Sequence, residues 1–127
     1  MGVLRFAFSA GDYASFAGQL RTSHCATIGE LREELKNIPD ETRIVLYRHG
    51  EVARIDGFRS DFPDRFSICS GEYMRVALMQ AAESQSMTVG QLRRHIALLP
   101  KSCIITATNG QLSAPVYGFQ KVCGSTA

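Results

Sequence analysis

Carboxylates close together in a chain are the first place to look for chemistry, and Asp56, Asp61 and Asp64 fall within nine residues around Gly57 and Pro63. Two such side chains could divide acid–base work between them or hold a Mg²⁺ ion. Aspartate also opens turns by bonding its own backbone two residues on, and the neighbouring Gly and Pro favour a solvated turn here. His24 and Cys25 are adjacent, a spacing that sends the two side chains in different directions and makes a poor metal-ligand pair. Cys25, Cys69, Cys103 and Cys123 could each meet His24, His49 or His95 in space, yet no local pattern marks a nucleophile. Cys103 and Cys123 lie in apolar strand patterns, as buried structural thiols do. The phosphate loop, the dinucleotide fingerprint and the nucleophile elbow are all missing. Catalysis through the Asp56–Asp64 stretch therefore ranks third among the functions considered, and no catalytic, metal or cofactor residue is assigned.

Charged side chains offer a second kind of chemistry, that of recognition. Glu33, Glu34 and Lys36 form one group and Arg93, Arg94 and His95 another, with Lys101 close behind. Their setting is a duplication. Thr27-Ile-Gly-Glu-Leu-Arg-Glu-Glu-Leu-Lys-Asn-Ile-Pro39 returns as Thr88-Val-Gly-Gln-Leu-Arg-Arg-His-Ile-Ala-Leu-Leu-Pro100, 61 positions later. By similarity Arg43–Tyr47 faces Cys103–Ala107, His49-Gly50-Glu51 faces Asn109-Gly110-Gln111 and Gly57-Phe58 faces Gly118-Phe119, with one residue dropped before the turn and regained after it.

Each copy opens with a capping box: Thr27 and Thr88 accept from the backbone three residues on, while Glu30 and Gln91 reach back. Ile28, Leu31, Leu35 and Ile38, matched by Val89, Leu92, Ile96 and Leu99, mark one buried stripe on each helix. Pro39 and Pro100 are expected to stop helices of about three turns. Extended runs follow, 43–48 and 103–108, with turns at His49-Gly50 and Asn109-Gly110. The first copy continues through a turn at 61–64 into Phe66–Cys69, then across Ser70-Gly71-Glu72. This stretch reads either as another hairpin turning at 70–72 or as one strand leading into a linker helix through Ala82, so that Tyr73–Ala82 is either strand or helix. Phe66–Ser70 faintly echoes Gln120–Gly124, which adds a third strand to the second copy. Val3–Phe8 alternates as an N-terminal strand, with 9–12 as a turn. The expected fold is a single α+β domain over 1–127. Tandem helix–strand–turn–strand units, 27–72 and 88–123, share one core, with a mostly antiparallel sheet and two helices on one face. Neither unit would be stable alone.

Composition sets the outer bounds. At 127 residues and 45% hydrophobic content the chain suits one modest core, and a net charge of +2 does not by itself call for a polyanionic partner. No run of about 18 apolar residues and no signal-type N-terminus occurs, Phe6 spoils a myristoylation motif, and four unpatterned cysteines suggest reduced thiols. A cytoplasmic protein with no membrane partner is expected. Charge separates the copies. Residues 27–58 carry seven acids and five bases, whereas 88–119 carry three bases and no acid. Either the helices lie side by side with Glu33 and Glu34 near Arg93 and Arg94, or each offers its own binding surface.

The pattern T-[IV]-G-x-L-x-x-x-[LI]-x-x-[LI]-P, over Thr27–Pro39 and Thr88–Pro100, resembles one found in small bacterial and bacteriophage accessory proteins. The resemblance implies a prokaryotic or phage accessory protein that binds, blocks or bridges a larger protein, an inhibitor being one form. Thr-Ile-Gly-Glu-Leu also resembles the opening of mercury-resistance-type helix-turn-helix regulators, but strands rather than a recognition helix follow each proline. The leading expectation is a non-enzymatic protein-interaction module, monomeric or homodimeric, acting through Glu33, Glu34, Lys36, Arg93, Arg94 and His95. The alternative is a small nucleic-acid-binding regulator that sets Arg93, Arg94 and Lys101 against phosphates.

Overall fold

Buried apolar residues recur at every second position through six strands, which is the periodicity of a sheet with one dry face. The computed structural model describes residues 2–11, 13, 25–62, 64–110 and 112–125, without the side chains of 2–4, 61, 62 and 122–125. The strands are β1 (Gly2–Ala10), β2 (Arg43–Arg48), β3 (Glu51–Phe62), β4 (Arg65–Arg75), β5 (Ile104–Asn109) and β6 (Leu112–Ser125). Phe6 and Phe8, Ile44 and Leu46, Ala53 and Ile55, Phe66 and Ile68, and Ile105 and Ala107 enter one core cluster. The helix stripes Ile28, Leu31, Leu35, Ile38 and Val89, Leu92, Ile96 join the same cluster.

The sheet is closed. β1 runs parallel to β2 and β4 parallel to β5, the other joins are antiparallel, and β6 returns to pair with β1 from Gly2↔Ser125 to Ala10↔Val116. This overturns the expected fold of a mostly antiparallel sheet with two helices on one face. Each unit opens with its own strand, β1 or β4, which re-enters the sheet beside its neighbour after the helix and so lies parallel to it. Periodicity marks a strand but not its neighbours, so closure into a barrel was not readable from alternation. Closure also removes the exposed sheet edge through which a dimer could have formed.

The ladder corrects the alignment of the copies as well. Arg48↔Glu51 closes the first hairpin and Asn109↔Leu112 the second, so the copies keep a constant spacing of 61 through the turn. Asn109 ends β5 and Gly110, at φ 62°, opens the turn; the first turn uses His49 at 48° and Gly50 at 80°. The resemblance between His-Gly and Asn-Gly had shifted the reading by one residue. Arg5↔Arg43 and Arg65↔Ile104 then make β1 and β4 equivalent, which extends each unit by one strand. Leu4-Arg-Phe-Ala-Phe8 and Asp64-Arg-Phe-Ser-Ile68 carry that echo in sequence, whereas the echo of Phe66–Ser70 in Gln120–Gly124 is not the structural one. Phe58 stacks on Phe66 and Phe119 on Phe6, with centroids 5.5 and 5.6 Å apart, which explains the repeated Phe.

Three helices occur among the described residues: α1 (Ile28–Glu34), α2 (Met79–Ser84) and α3 (Val89–Ile96). The expected third turn of α1 is absent, because Asn37 takes φ 67° and ends the helical path before Pro39. Ser70-Gly71-Glu72 is not a turn but the middle of β4; Tyr73 is strand, a 3₁₀ turn spans Val76–Leu78, and Ala82 lies in α2. The 61–64 turn is tighter than expected, since Phe62 already pairs with Arg65. The N-terminal strand reaches Ala10, so Ser9 and Ala10 are strand, and Asp12 lies outside the described residues.

Two side-chain clusters fasten this frame. Arg5, only 5% exposed, grips both carboxylate oxygens of Glu83 of α2 through the Nε–Nη2 edge of its guanidinium, with Nη2 donating to Oε1 at 3.0 Å. At the end of the barrel away from α1 and α3, the Arg48 guanidinium lies 4.3 Å from the Tyr73 ring centre and 5.2 Å from that of Tyr13. The two phenols share a 2.7 Å hydrogen bond. Burial first, and the Tyr13 bond second, hold the Tyr73 phenol far above its ordinary value of 10.0.

Glu83→Ala leaves Arg5 buried without its counter-charge, and urea unfolding should show a loss of about 3–5 kcal/mol. Unfolded Tyr73 ionises above about pH 10 while the native phenol keeps its proton, so the native state binds more protons there and stability falls as pH rises. Denaturation midpoints from about pH 9 to about pH 11 should therefore decline less steeply in Tyr73→Phe than in the wild type.

Candidate functional site

The helix pair sits over the barrel end where β2 and β5 begin, and each helix starts on the other copy's chain. Thr27 and Thr88 form the expected capping boxes, with Glu30 N–H on Thr27 Oγ1 at 3.2 Å and Gln91 N–H on Thr88 Oγ1 at 3.4 Å. The next two amides reach across. Ile28 and Gly29 donate to the carbonyls of Cys103 and Lys101 at 2.8 and 3.0 Å, and Val89 and Gly90 donate to those of Thr42 and Asp40, both at 2.9 Å. A Cβ on Gly29 would stand 3.0 Å from Lys101 Cβ, and one on Gly90 would stand 3.1 Å from Asp40 Cβ. The glycine of the repeated motif is there because another backbone lies against it.

The arginine of the motif closes the other helix end. Arg32 Nη2 donates to the carbonyls of Ile96 and Leu99 at 2.7 and 2.6 Å; Arg93 Nη2 donates to those of Leu35 and Ile38, both at 2.6 Å. Carbonyls at a helix C-terminus lack intrahelical partners, and a cation there also meets the negative end of the helix dipole. Arg93 further pairs with Asp40. Between the helices lies a shallow groove of about 230 Å³, lined symmetrically by Arg32, Leu35 and Lys36 and by Arg93, Ile96 and Ala97.

Outside these contacts the six expected residues divide. Arg93 is an internal brace, and it meets Asp40 rather than Glu33 or Glu34. Glu33 and Lys36 form an exposed pair at 2.8 Å that contributes little to stability. Glu34 and Arg94 are exposed. His95 is exposed too and leans on Phe58, with ring centres 5.0 Å apart. Positions 30, 33, 34, 36, 40 and 41 are exposed in the first copy, and their equivalents 91, 94, 95, 97, 101 and 102 are exposed in the second. The first six hold five acids and one base; the second six hold two bases and no acid. Leu98, at 97% exposure, was not singled out by sequence reasoning, which took its neighbour Leu99 into the apolar stripe and passed Leu98 over.

Most of the aspartate stretch is strand rather than loop. Asp56 is on β3 and pairs with Arg54 at 2.7 Å, Asp64 is exposed in the turn, and the Asp61 side chain lies outside the described residues. His24 also lies outside them. Cys25, Cys69 and Cys103 are not disulfide-bonded. Burial pushes the Cys25 and Cys103 thiols above their ordinary value, which keeps them protonated and poorly nucleophilic. Among the described residues no group of three or more His, Cys, Asp and Glu could hold a metal, and no helix is long and apolar enough to cross a membrane. A second concavity of about 430 Å³ at the barrel rim is lined by Ser9, Gly11, Tyr47, His49, Tyr117 and Gln120 among others. Sequence reasoning had no signal for it, because the strands that build it meet only on closure.

Arg93→Ala should lower stability by about 1.5–3 kcal/mol, as expected when charged hydrogen bonds to carbonyls are lost. Arg94→Ala, one residue away, should stay within about 0.5 kcal/mol of the wild type. Thermal unfolding of the two variants side by side distinguishes the brace from the free charge.

No protein-family model, curated protein sequence or solved structure matches this chain.

Proposed function

We propose that the protein is a non-enzymatic protein-interaction module, of the accessory or inhibitory kind, and that the outer face of α1 and α3 docks a larger protein. The observation that carries this reading is the pairing of like geometry with unlike charge. Among the exposed positions that stand in equivalent places on the two helix segments, the first copy carries five acids and one base and the second two bases and no acid. The buried stripe, the cap, the motif glycine and the motif arginine are retained in both copies, since the fold uses them. Of the outward side chains, Glu30 and Gln91 complete the caps and Asp40 pairs with Arg93, whereas Glu33, Glu34, Glu41, Arg94 and Lys101 brace no other element among the described residues, so their divergence is free to serve recognition. Rim charges of this kind steer encounter and select partners more than they add affinity.

The nucleic-acid reading is weakened by Arg93. Of the three cations it would set against phosphates, Arg93 is already committed to two carbonyls and to Asp40, which leaves Arg94 and Lys101. Two cations supply little of the counterion release that phosphate-backbone binding depends on.

The test is affinity capture from prokaryotic lysate, with and without nuclease treatment, using wild-type protein, Glu33→Lys/Glu34→Lys and Arg94→Glu/His95→Glu. The expected result is a stoichiometric protein bound by the wild type and reduced about tenfold or more by at least one of the charge-reversed proteins, both still folded. Capture of nucleic acid alone, removed by nuclease, would overturn the reading in favour of the regulator.

A further inference from the structure

We infer that the α1–α3 face also docks a second copy of this chain, acidic helix on basic helix. The inference rests on the reading of that face as a docking surface and goes further by naming an occupant. The strand pairing maps one unit onto the other, so the helix face has two halves related by a two-fold rotation. At equivalent places Glu33 answers to Arg94, Asp40 to Lys101 and Glu30 to Gln91. A surface whose halves match in shape and oppose in charge is complementary to itself once turned over. A two-fold axis lying in the face, perpendicular to the line joining the helices, lays each acidic helix on the partner copy's basic one. The same operation repeats every contact twice, as an isologous interface requires.

Helix geometry supports the register. Ile28, Leu31, Leu35 and Ile38 define the buried side of α1, and at 3.6 residues per turn Glu33 falls nearly opposite them; Arg94 has the same place on α3. The face is therefore led by one of the two pairs of positions at which the charge is fully reversed, the other being Asp40 and Lys101. Leu98 and the Leu35–Ile96–Ala97 floor of the groove supply apolar surface for the contact. Among the described residues Glu33 is held only by the exposed Lys36, a pair weak enough to be exchanged for an intermolecular one. Two helices of seven and eight residues offer less area than the usual ~800 Å² per partner, so the dimer is weak and salt-sensitive.

Sedimentation equilibrium on the full chain, up to about 0.5 mM protein and at about 0.05 M salt, tests this. The wild type should self-associate to a dimer, with a dissociation constant that rises about tenfold as salt is brought to about 0.5 M. Glu33→Arg and Arg94→Glu should each raise that constant about tenfold or more, because both place like charges opposite one another, and the double variant Glu33→Arg/Arg94→Glu should return to within about threefold of the wild type. A wild type that is monomeric throughout overturns the inference while leaving capture of a larger protein intact. A dimer indifferent to all three variants places the contact elsewhere and overturns it equally. Circular dichroism of each variant ensures that loss of dimer is not loss of fold.

Discussion

Each helix of this protein is finished by the other copy. The first free amides of α1 are taken by the carbonyls of Cys103 and Lys101, those of α3 by Thr42 and Asp40, and the last carbonyls of each helix by the other's arginine. Helices of seven and eight residues are far below the length at which an isolated helix holds in water. Their stability has to come from outside themselves, and the exchange supplies it at both ends. The barrel depends on the same exchange, because these bonds fix where β2 and β5 start and so set the register of the parallel pairs β1–β2 and β4–β5.

The repeated motif can be read as a set of parts for that exchange. The threonine caps its own helix. The Ile or Val fills the core, the glycine admits the crossing backbone, the leucine fills the core again, and the arginine crosses to the opposite C-terminus. A single unit has neither the carbonyls for its first turn nor the guanidinium for its last, so duplication here is an architectural requirement as much as an evolutionary record. Sharing one core across both copies follows from the same geometry.

With those parts committed, the surface divides into residues that hold the fold and residues that do not. Arg93 and Arg94 are neighbours of the same type, yet one is bound to three acceptors and the other points to water. The division matters for any reading of function, because charge counted along the chain mixes the two kinds. The acidic and basic halves of the helix face survive that sorting. The aspartate stretch does not, since Asp56 is held by Arg54 across an exposed strand surface. Closure of the barrel removes one further option, because six paired strands leave no edge to add to.

Much of the local structure was legible in the chain. Capping boxes, apolar stripes, the His-Gly turn and the duplication itself all act over a few residues, where side-chain type and spacing are enough to decide. The one-residue offset at Asn109-Gly110 shows the limit, since two similar dipeptides compete and only the ladder chooses between them. The echo between Arg5-Phe6 and Arg65-Phe66 was present but too short to stand out without knowing that both begin a strand beside an equivalent neighbour. What the sequence determined alone was the set of elements and the fact that there are two of everything. Which strands are neighbours, that the sheet closes, and that Arg93 is a brace while Arg94 is free were decided only by tertiary structure. Each depends on partners tens of residues away, or 123 residues at the Gly2↔Ser125 pair, and neither propensity nor periodicity carries information over such distances.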